Sequence, residues 1–208
     1  MVQKESTPKP RGRPRAFEPD AALARALDVF RDSGFSATSL DDLSAAMGIN
    51  RPSLYGAFGD KRALFLKAYE RYRARMLEVF ADAFSAEKSL RQTLERAYEI
   101  AIEVYSEGGD NPRGCFTVMT AGSEALGEGP ILEAVRSALA NTDMVMLRRF
   151  ERAAAEGDLP AGADVAARAK IAASIFHTLA VRARAGAPRS ELAMIAASAV
   201  DLLAPSSA

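Results

Sequence analysis

One cysteine, one histidine and no tryptophan occur in the whole sequence, and no apolar run is long enough to cross a bilayer. Each scarcity excludes something. Cys115 has no partner within the chain, so no disulfide framework exists and a reducing, cytoplasmic setting is expected. One thiol and one imidazole do not make a spaced metal set. No Gly-rich phosphate loop is present, and Cys115 with His177 is the only pairing that even resembles a nucleophile and a base. Neither an enzyme, a metal nor a cofactor is therefore expected. A membrane span needs about 18 consecutive apolar residues, and the basic N-terminus lacks the apolar core of a secretory signal. An excess of charge is missing too, with 27 Lys and Arg against 27 Asp and Glu.

What is present is helical pattern and uneven charge. At 49% hydrophobic, the chain can bury a sizeable core. Residues 1–15 carry Lys4, Lys9, Arg11, Arg13 and Arg15 against Glu5 alone. Residues 1–16 are predicted to be a disordered basic arm, since they have little to bury. Beyond them the apolar spacing is three and four residues, with no period-two strand, which predicts an all-α protein.

A first helix is expected from Pro19, burying Leu23, Ala26, Leu27 and Phe30 and ending at Gly34. A short second helix follows Thr38 and Ser39; Ser39 with Asp42 forms a capping-box pattern, and Gly48 stops the helix. A third opens at Arg51–Pro52, buries Leu54 and Phe58, and closes at Gly59. Asp60 caps a long helix reaching about Phe84. Further helices are predicted over 88–106, 114–126, 130–156, 164–185 and 189–203, between runs of Gly, Pro, Asp and Asn.

Segment 38–58 thus reads as two short helices around Gly48–Ile49–Asn50, the pattern of a helix-turn-helix. Its apolar residues can all face inward. That leaves Arg51, Pro52, Ser53 and Tyr55 outward on a helix of two turns, poor use of surface unless something binds there.

Three stretches carry a resemblance: Ala26-Leu-Asp-Val-Phe-Arg-Asp-Ser-Gly-Phe35, Thr38-Ser-Leu-Asp-Asp-Leu-Ser-Ala-Ala-Met-Gly48 and Ser53-Leu-Tyr-Gly-Ala-Phe-Gly-Asp-Lys-Arg-Ala-Leu-Phe65. Residues 17–66, about a quarter of the chain, resemble the DNA-binding domain of TetR/AcrR regulators. The resemblance implies a helix-turn-helix domain over 17–62 and a helical ligand-binding and dimerisation domain over 63–208. It implies a transcriptional regulator, a repressor released from operator DNA by a small-molecule effector. Arg51 and Pro52 take base-facing positions, and Ser53, Tyr55 and Lys61 phosphate-facing ones. Thr38 and Ser39 sit where a hydroxyl and a helix N-terminus meet the DNA backbone. Arginine can pair bidentately with guanine, while hydroxyls, lysine and helix N-termini hold phosphates. The family often has His before the aromatic at Phe58; Ala57 stands here, so the contact such a His would make is not expected.

The arm reads Arg11-Gly-Arg-Pro-Arg15 and resembles an AT-hook, suited to a narrow minor groove. An effector pocket is expected to draw on Phe80, Phe84, Tyr98, Tyr105, Cys115, Phe116, Met119, Met144, Phe150 and His177. For each aromatic, plain core is the competing reading; for His177 it is a satisfied core histidine, and for Cys115 a small buried hydrophobe. A homodimer is expected through residues 164–203, with Ala172, Ile175, Phe176, Leu179, Leu192, Ile195, Ala196, Ala199 and Leu203 suited to close helix packing. Two alternatives stay open: a regulator of this fold without an inducer, acting on the nucleoid or through a protein partner, and a sensor of oxidant, electrophile or metal through Cys115.

Overall fold

The computed structural model describes residues 17–85, 87–123 and 129–205. The basic arm, with Arg11, Arg13 and Arg15, lies outside them. Nine helices and no strand occur among the described residues: α1 (Pro19–Ala37), α2 (Leu40–Met47), α3 (Arg51–Phe58), α4 (Lys61–Phe80), α5 (Leu90–Tyr105), α6 (Phe116–Ser123), α7 (Gly129–Glu156), α8 (Val165–Arg184) and α9 (Arg189–Leu203).

The helix boundaries follow local chemistry. Proline opens α1, where its missing N–H costs nothing. Gly34 does not end α1 as expected. It kinks it, at φ 79° and ψ 175°, and one more turn follows to Ala37. The kink delivers Phe35 edge-on to Phe65 at 5.3 Å. Side chains of Asn50, Asp60, Ser89 and Asp164 each accept a backbone N–H at the start of their helices, so these helices begin with a donor satisfied. The long helix stops at Phe80, and residues 81–84 form a turn.

The described residues form two apolar clusters. One joins α1–α4 to Phe116 of α6 and to Ile131 and Val135 of α7. Its centre is aromatic: Phe65 meets Phe30 at 5.0 Å and Phe116 at 5.4 Å, and Tyr72 meets Phe116 edge-on at 5.6 Å. The other packs α5 against α7, α8 and α9 around Leu94, Tyr98, Phe150, Leu179 and Leu192. Helix α4, about 30 Å long at 1.5 Å per residue, begins in the first cluster and runs along the second. Between α5 and α6 the loop hugs α8. Gly114 there has φ 65°, and a Cβ on it would meet the Ala180 carbonyl at 2.9 Å, so a side chain has no room.

The dimer residues read from the sequence need correction. Ala172, Phe176, Leu179, Leu192, Ala196, Ala199 and Leu203 are buried within the single chain, and Ile175 and Ile195 are half-buried against the same core. A helix packed on three neighbours buries most of its circumference, so the alanine-rich faces serve the protomer itself. The large apolar residues that face outward on α8 and α9 are Ile171, Val181, Met194 and Leu202, each more than half exposed.

Candidate nucleic-acid interface and cavity

Helices α2 and α3 meet at a turn built from three local devices. The Ser39 hydroxyl accepts the Asp42 N–H while the Asp42 carboxylate accepts the Ser39 N–H, closing both ends of a capping box. Gly48 at φ 68° reverses the chain, and its N–H and that of Ile49 bond back to Ala45 and Ser44. Asn50 then caps α3 by accepting the Ser53 N–H at 2.9 Å. This cap was legible in the sequence, as Asn ahead of Arg–Pro, and went unread there.

Leu54 and Phe58 anchor α3 in the core. Arg51, Pro52 and Tyr55 stand outward, Ser53 is half-buried, and Gly56 faces open space. Arg51 holds Asp41 of α2 through Nε to Oδ1 at 2.9 Å and Nη2 to Oδ2 at 2.7 Å. Lys61, the first residue of α4, places its ammonium 4.5 Å from the Phe35 ring centre. One ridge therefore carries Arg51, Pro52 and Tyr55.

Thr38 is not on that ridge. It is 2% exposed, and its hydroxyl donates to the Gly34 carbonyl at 2.6 Å. The kink frees that carbonyl from the helix, and the threonine satisfies it, so Thr38 is a structural position. Ser39 is exposed, but its hydroxyl donates to Asp42 at 2.6 Å. These hydrogen bonds hold the Asp42 carboxyl below the ordinary carboxylate range. With Asp41 beside it, the start of α2 is electronegative.

A cavity of about 290 Å³ lies between α4, the end of α5, α6, α7 and α8. Of the residues expected around an effector pocket, Phe80, Phe84, Tyr105, Cys115 and His177 line this cavity. Tyr98, Phe116, Met119, Met144 and Phe150 do not. Tyr98 is wholly buried, its hydroxyl donating to the Ala172 carbonyl at 3.0 Å. Phe116 belongs to the aromatic cluster, Phe150 to the second core, Met119 is half-buried outside the cavity, and Met144 points to solvent at 46% exposure. Helix α7 turns Asn141, Thr142, Val145 and Met146 to the cavity, which leaves position 144 on the far side. The sequence reading missed Tyr72, Met76, Val118 and Phe176 on the wall, whose spacing is that of ordinary core.

The Tyr72 hydroxyl donates to the Cys115 thiol at 3.6 Å and accepts the Phe116 N–H at 3.3 Å. Burial pushes the Tyr72 and Tyr105 phenols well up, and Tyr69, bonded to Thr117 at 3.0 Å, to about 12. Burial lowers the His177 imidazole below its ordinary value. Arg113 does not approach the thiol; it extends to Asp28 and Asp32 of α1. Among the described residues no group of three His, Cys, Asp or Glu could hold a metal, and no helix is long and apolar enough to cross a membrane.

Residues 22–68 match the family model for bacterial regulatory proteins of the tetR family. The chain is 33% identical to the HTH-type transcriptional repressor ComR of Escherichia coli (strain K12) over 195 residues, 93% of this chain and 92% of ComR. It is 34% identical to the HTH-type transcriptional repressor BdcR of the same organism over 119 residues, 57% of this chain and 58% of BdcR. Among solved structures, a cysteine-substituted variant of the TetR family transcriptional regulator CifR, complexed with 26-base-pair operator DNA, superposes with a TM-score of 0.83. The identity is 31%, and the match covers 91% of this chain and 98% of that one. These similar proteins are transcriptional regulators, not enzymes.

Proposed function

The chain belongs to the TetR family of bacterial regulatory proteins, and on that footing we propose that it is a cytoplasmic repressor that binds operator DNA as a dimer and releases it when a small molecule fills the cavity beneath α4. Repressor names among the relatives and the operator complex of CifR support the DNA half of this reading. Residues 17–62 form the DNA-binding domain, and 63–208 the effector and dimerisation domain. Arg51 and Pro52 read base edges, while Ser53, Tyr55 and Lys61 meet phosphates. Arg11, Arg13 and Arg15 follow the adjacent minor groove.

The observation that carries the effector half is the position of the cavity. Helix α4 forms one wall of it with Tyr72, Met76 and Phe80, and begins one residue beyond Gly59 and Asp60 at the end of α3. A molecule between α4 and α7 therefore pushes on the helix that carries the reading head. Two such heads must sit roughly 34–36 Å apart to enter successive major grooves. The apolar residues left outward on α8 and α9, Ile171, Val181, Met194 and Leu202, suit packing against a second copy. An effector need only prefer the misaligned spacing; about 1–3 kcal/mol of preference releases a fraction of the DNA.

Because Cys115 lies on the cavity wall, a thiol-reactive compound or soft metal acting there is the second reading. The test is a selected operator fragment, a library of mostly apolar small molecules, and the variant Val118→Trp, which fills the cavity. The expected result is steeply salt-dependent DNA binding by both proteins and compound-driven release of the parent alone. Equal release of both proteins overturns the effector half; salt-insensitive DNA binding overturns the first half.

A further inference from the structure

The walls of this cavity differ from its mouth. Inside, Met76, Phe80, Phe84, Val118, Met146 and Phe176 present carbon and sulfur. Three of the polar groups among them already have partners. The Tyr72 hydroxyl is bonded at both ends, Thr117 to Tyr69, and Thr142 to the Ala138 carbonyl. The mouth lies between α4 and α7, where Leu77 is 62% and Val145 36% exposed. Arg73 sits four residues before Leu77 and Asn141 four before Val145, so each lies on the same strip of its helix as its exposed neighbour.

Among the described residues, Arg73 is the one Arg or Lys lining the cavity, and no Asp or Glu lines it. Among the described residues neither the Arg73 guanidinium nor the Asn141 amide has a hydrogen-bond or ion-pair partner, whereas Arg75 on the same helix is paired with Glu107 at 3.3 Å. His177 is half-buried, and burial favours its neutral form, so it supplies a hydrogen-bonding group rather than a second cation. A cationic ligand finds no counter-charge here, and a neutral one leaves Arg73 unused.

From this pattern we infer that the cavity takes an amphiphilic anion, with a carboxylate head between Arg73 and Asn141 at the mouth and an apolar body inward. Size follows from volume. An apolar cavity of about 150 Å³ holds benzene, so twice that space holds roughly twelve non-hydrogen atoms. A straight-chain fatty acid of medium length and a bicyclic aromatic acid share this chemistry and size. The inference rests on reading the cavity as the effector site.

Titration calorimetry of the full chain with decanoate, 2-naphthoate, decan-1-ol and decylamine tests it, below their micelle concentrations. The expected result is that decanoate or 2-naphthoate binds more tightly than decan-1-ol, with decylamine weakest; whichever acid binds better identifies the body. Arg73→Gln should weaken the acid about tenfold, the worth of one charge-assisted pair, while Arg73→Lys retains it and decan-1-ol is unaffected. Decan-1-ol binding as tightly as both acids, or acid affinity unchanged in a folded Arg73→Gln, overturns the inference. The comparison of ligands on the parent protein needs no variant. Operator release is measured alongside. If decan-1-ol releases DNA and neither acid binds, the anion class falls and the effector site stands. If an acid binds through Arg73 without altering operator affinity, the anion site stands and its regulatory role falls.

Discussion

Arg113, in the loop ahead of α6, grips Asp32 of α1 with two parallel bonds, Nε to Oδ1 at 2.7 Å and Nη2 to Oδ2 at 3.0 Å. Its remaining nitrogen reaches Asp28 at 2.8 Å. Close by, Glu107 accepts from Arg31 of α1 at 3.2 Å and from Arg75 of α4 at 3.3 Å. The loop that carries these groups begins beyond Tyr105 and ends at Cys115, both on the cavity wall. The cavity and the first helix of the DNA-binding half thus share one short, charged connection.

Arg113→Ala should cost little stability and more communication. The pair is partly exposed, at 24% for Arg113 and 44% for Asp32, so its removal costs about 1 kcal/mol. Effector binding should be unchanged, because Arg113 does not line the cavity. Effector-driven loss of DNA affinity should shrink. Calorimetric melting and operator titration with and without effector measure the two effects; an unchanged ratio of operator affinities would show that the connection carries no coupling.

The pair between Arg51 and Asp41 yields a second expectation. In the free protein Arg51 gives Nε and Nη2 to Asp41, so under the proposed base-reading role a guanine must compete for both. The side chains are 54% and 75% exposed, and opening such a pair costs no more than about 1 kcal/mol. Arg51→Ala should lose about 1–3 kcal/mol on the selected operator and relax preference at one base position. Asp41→Asn should instead raise affinity for operator and random DNA alike, because it frees Arg51 and removes a negative charge. Fluorescence anisotropy against both DNAs separates the variants. Asp41→Asn weakening operator binding would mean that Asp41 positions Arg51 for the base.

The difference between legible and illegible parts is physical. The caps at Ser39 and Asp60, the stop at Gly48 and the inward Leu54 and Phe58 depend on neighbours within a few residues, so a short stretch of sequence contains their cause. The cavity does not. Tyr98 and Tyr105 lie on one face of α5, two turns apart. One is sealed against α8 and the other lines open space, and only the tertiary packing decides which. The same holds for α8 and α9, where alanine-rich faces read as a close dimer contact and bury against α5 and α7 instead. Thr38 looked like a free hydroxyl because the carbonyl it satisfies exists only through the kink at Gly34.

His177 makes stability depend on pH. Its folded-state pKa lies below the ordinary 6.5, because burial disfavours the imidazolium. Below 6.5 the unfolded chain therefore binds the proton more readily than the folded one. The contribution is fully present above 6.5 and is lost as pH falls through 6.5 towards the folded-state value. Asp143 and Lys170, which face the ring with opposite charge, are paired with each other and leave burial dominant. Urea titrations between pH 7.5 and about 5 should show a decline that flattens in His177→Gln. A variant that follows the parent would assign the decline to other groups.

Cys115→Ser tests whether the thiol packs or senses. The thiol is half-buried and accepts only a long bond from Tyr72, 3.6 Å, so serine should fit at a cost of about 1 kcal/mol or less. Tyr72→Phe is the useful contrast. It removes both that donor and the acceptor for the buried Phe116 N–H, and an unmet buried donor costs about 1–3 kcal/mol. Urea unfolding should therefore rank Tyr72→Phe as the more damaging change. Function separates the readings further. A packing cysteine leaves the Cys115→Ser variant with the parent's response to a non-covalent effector, and leaves neither protein released by peroxide, and this is the expected outcome because inert buried cysteine is the commoner state. Peroxide or an electrophile that releases the parent from its operator and leaves the serine variant bound would make Cys115 the trigger, with the cavity acting as the reactant's binding pocket.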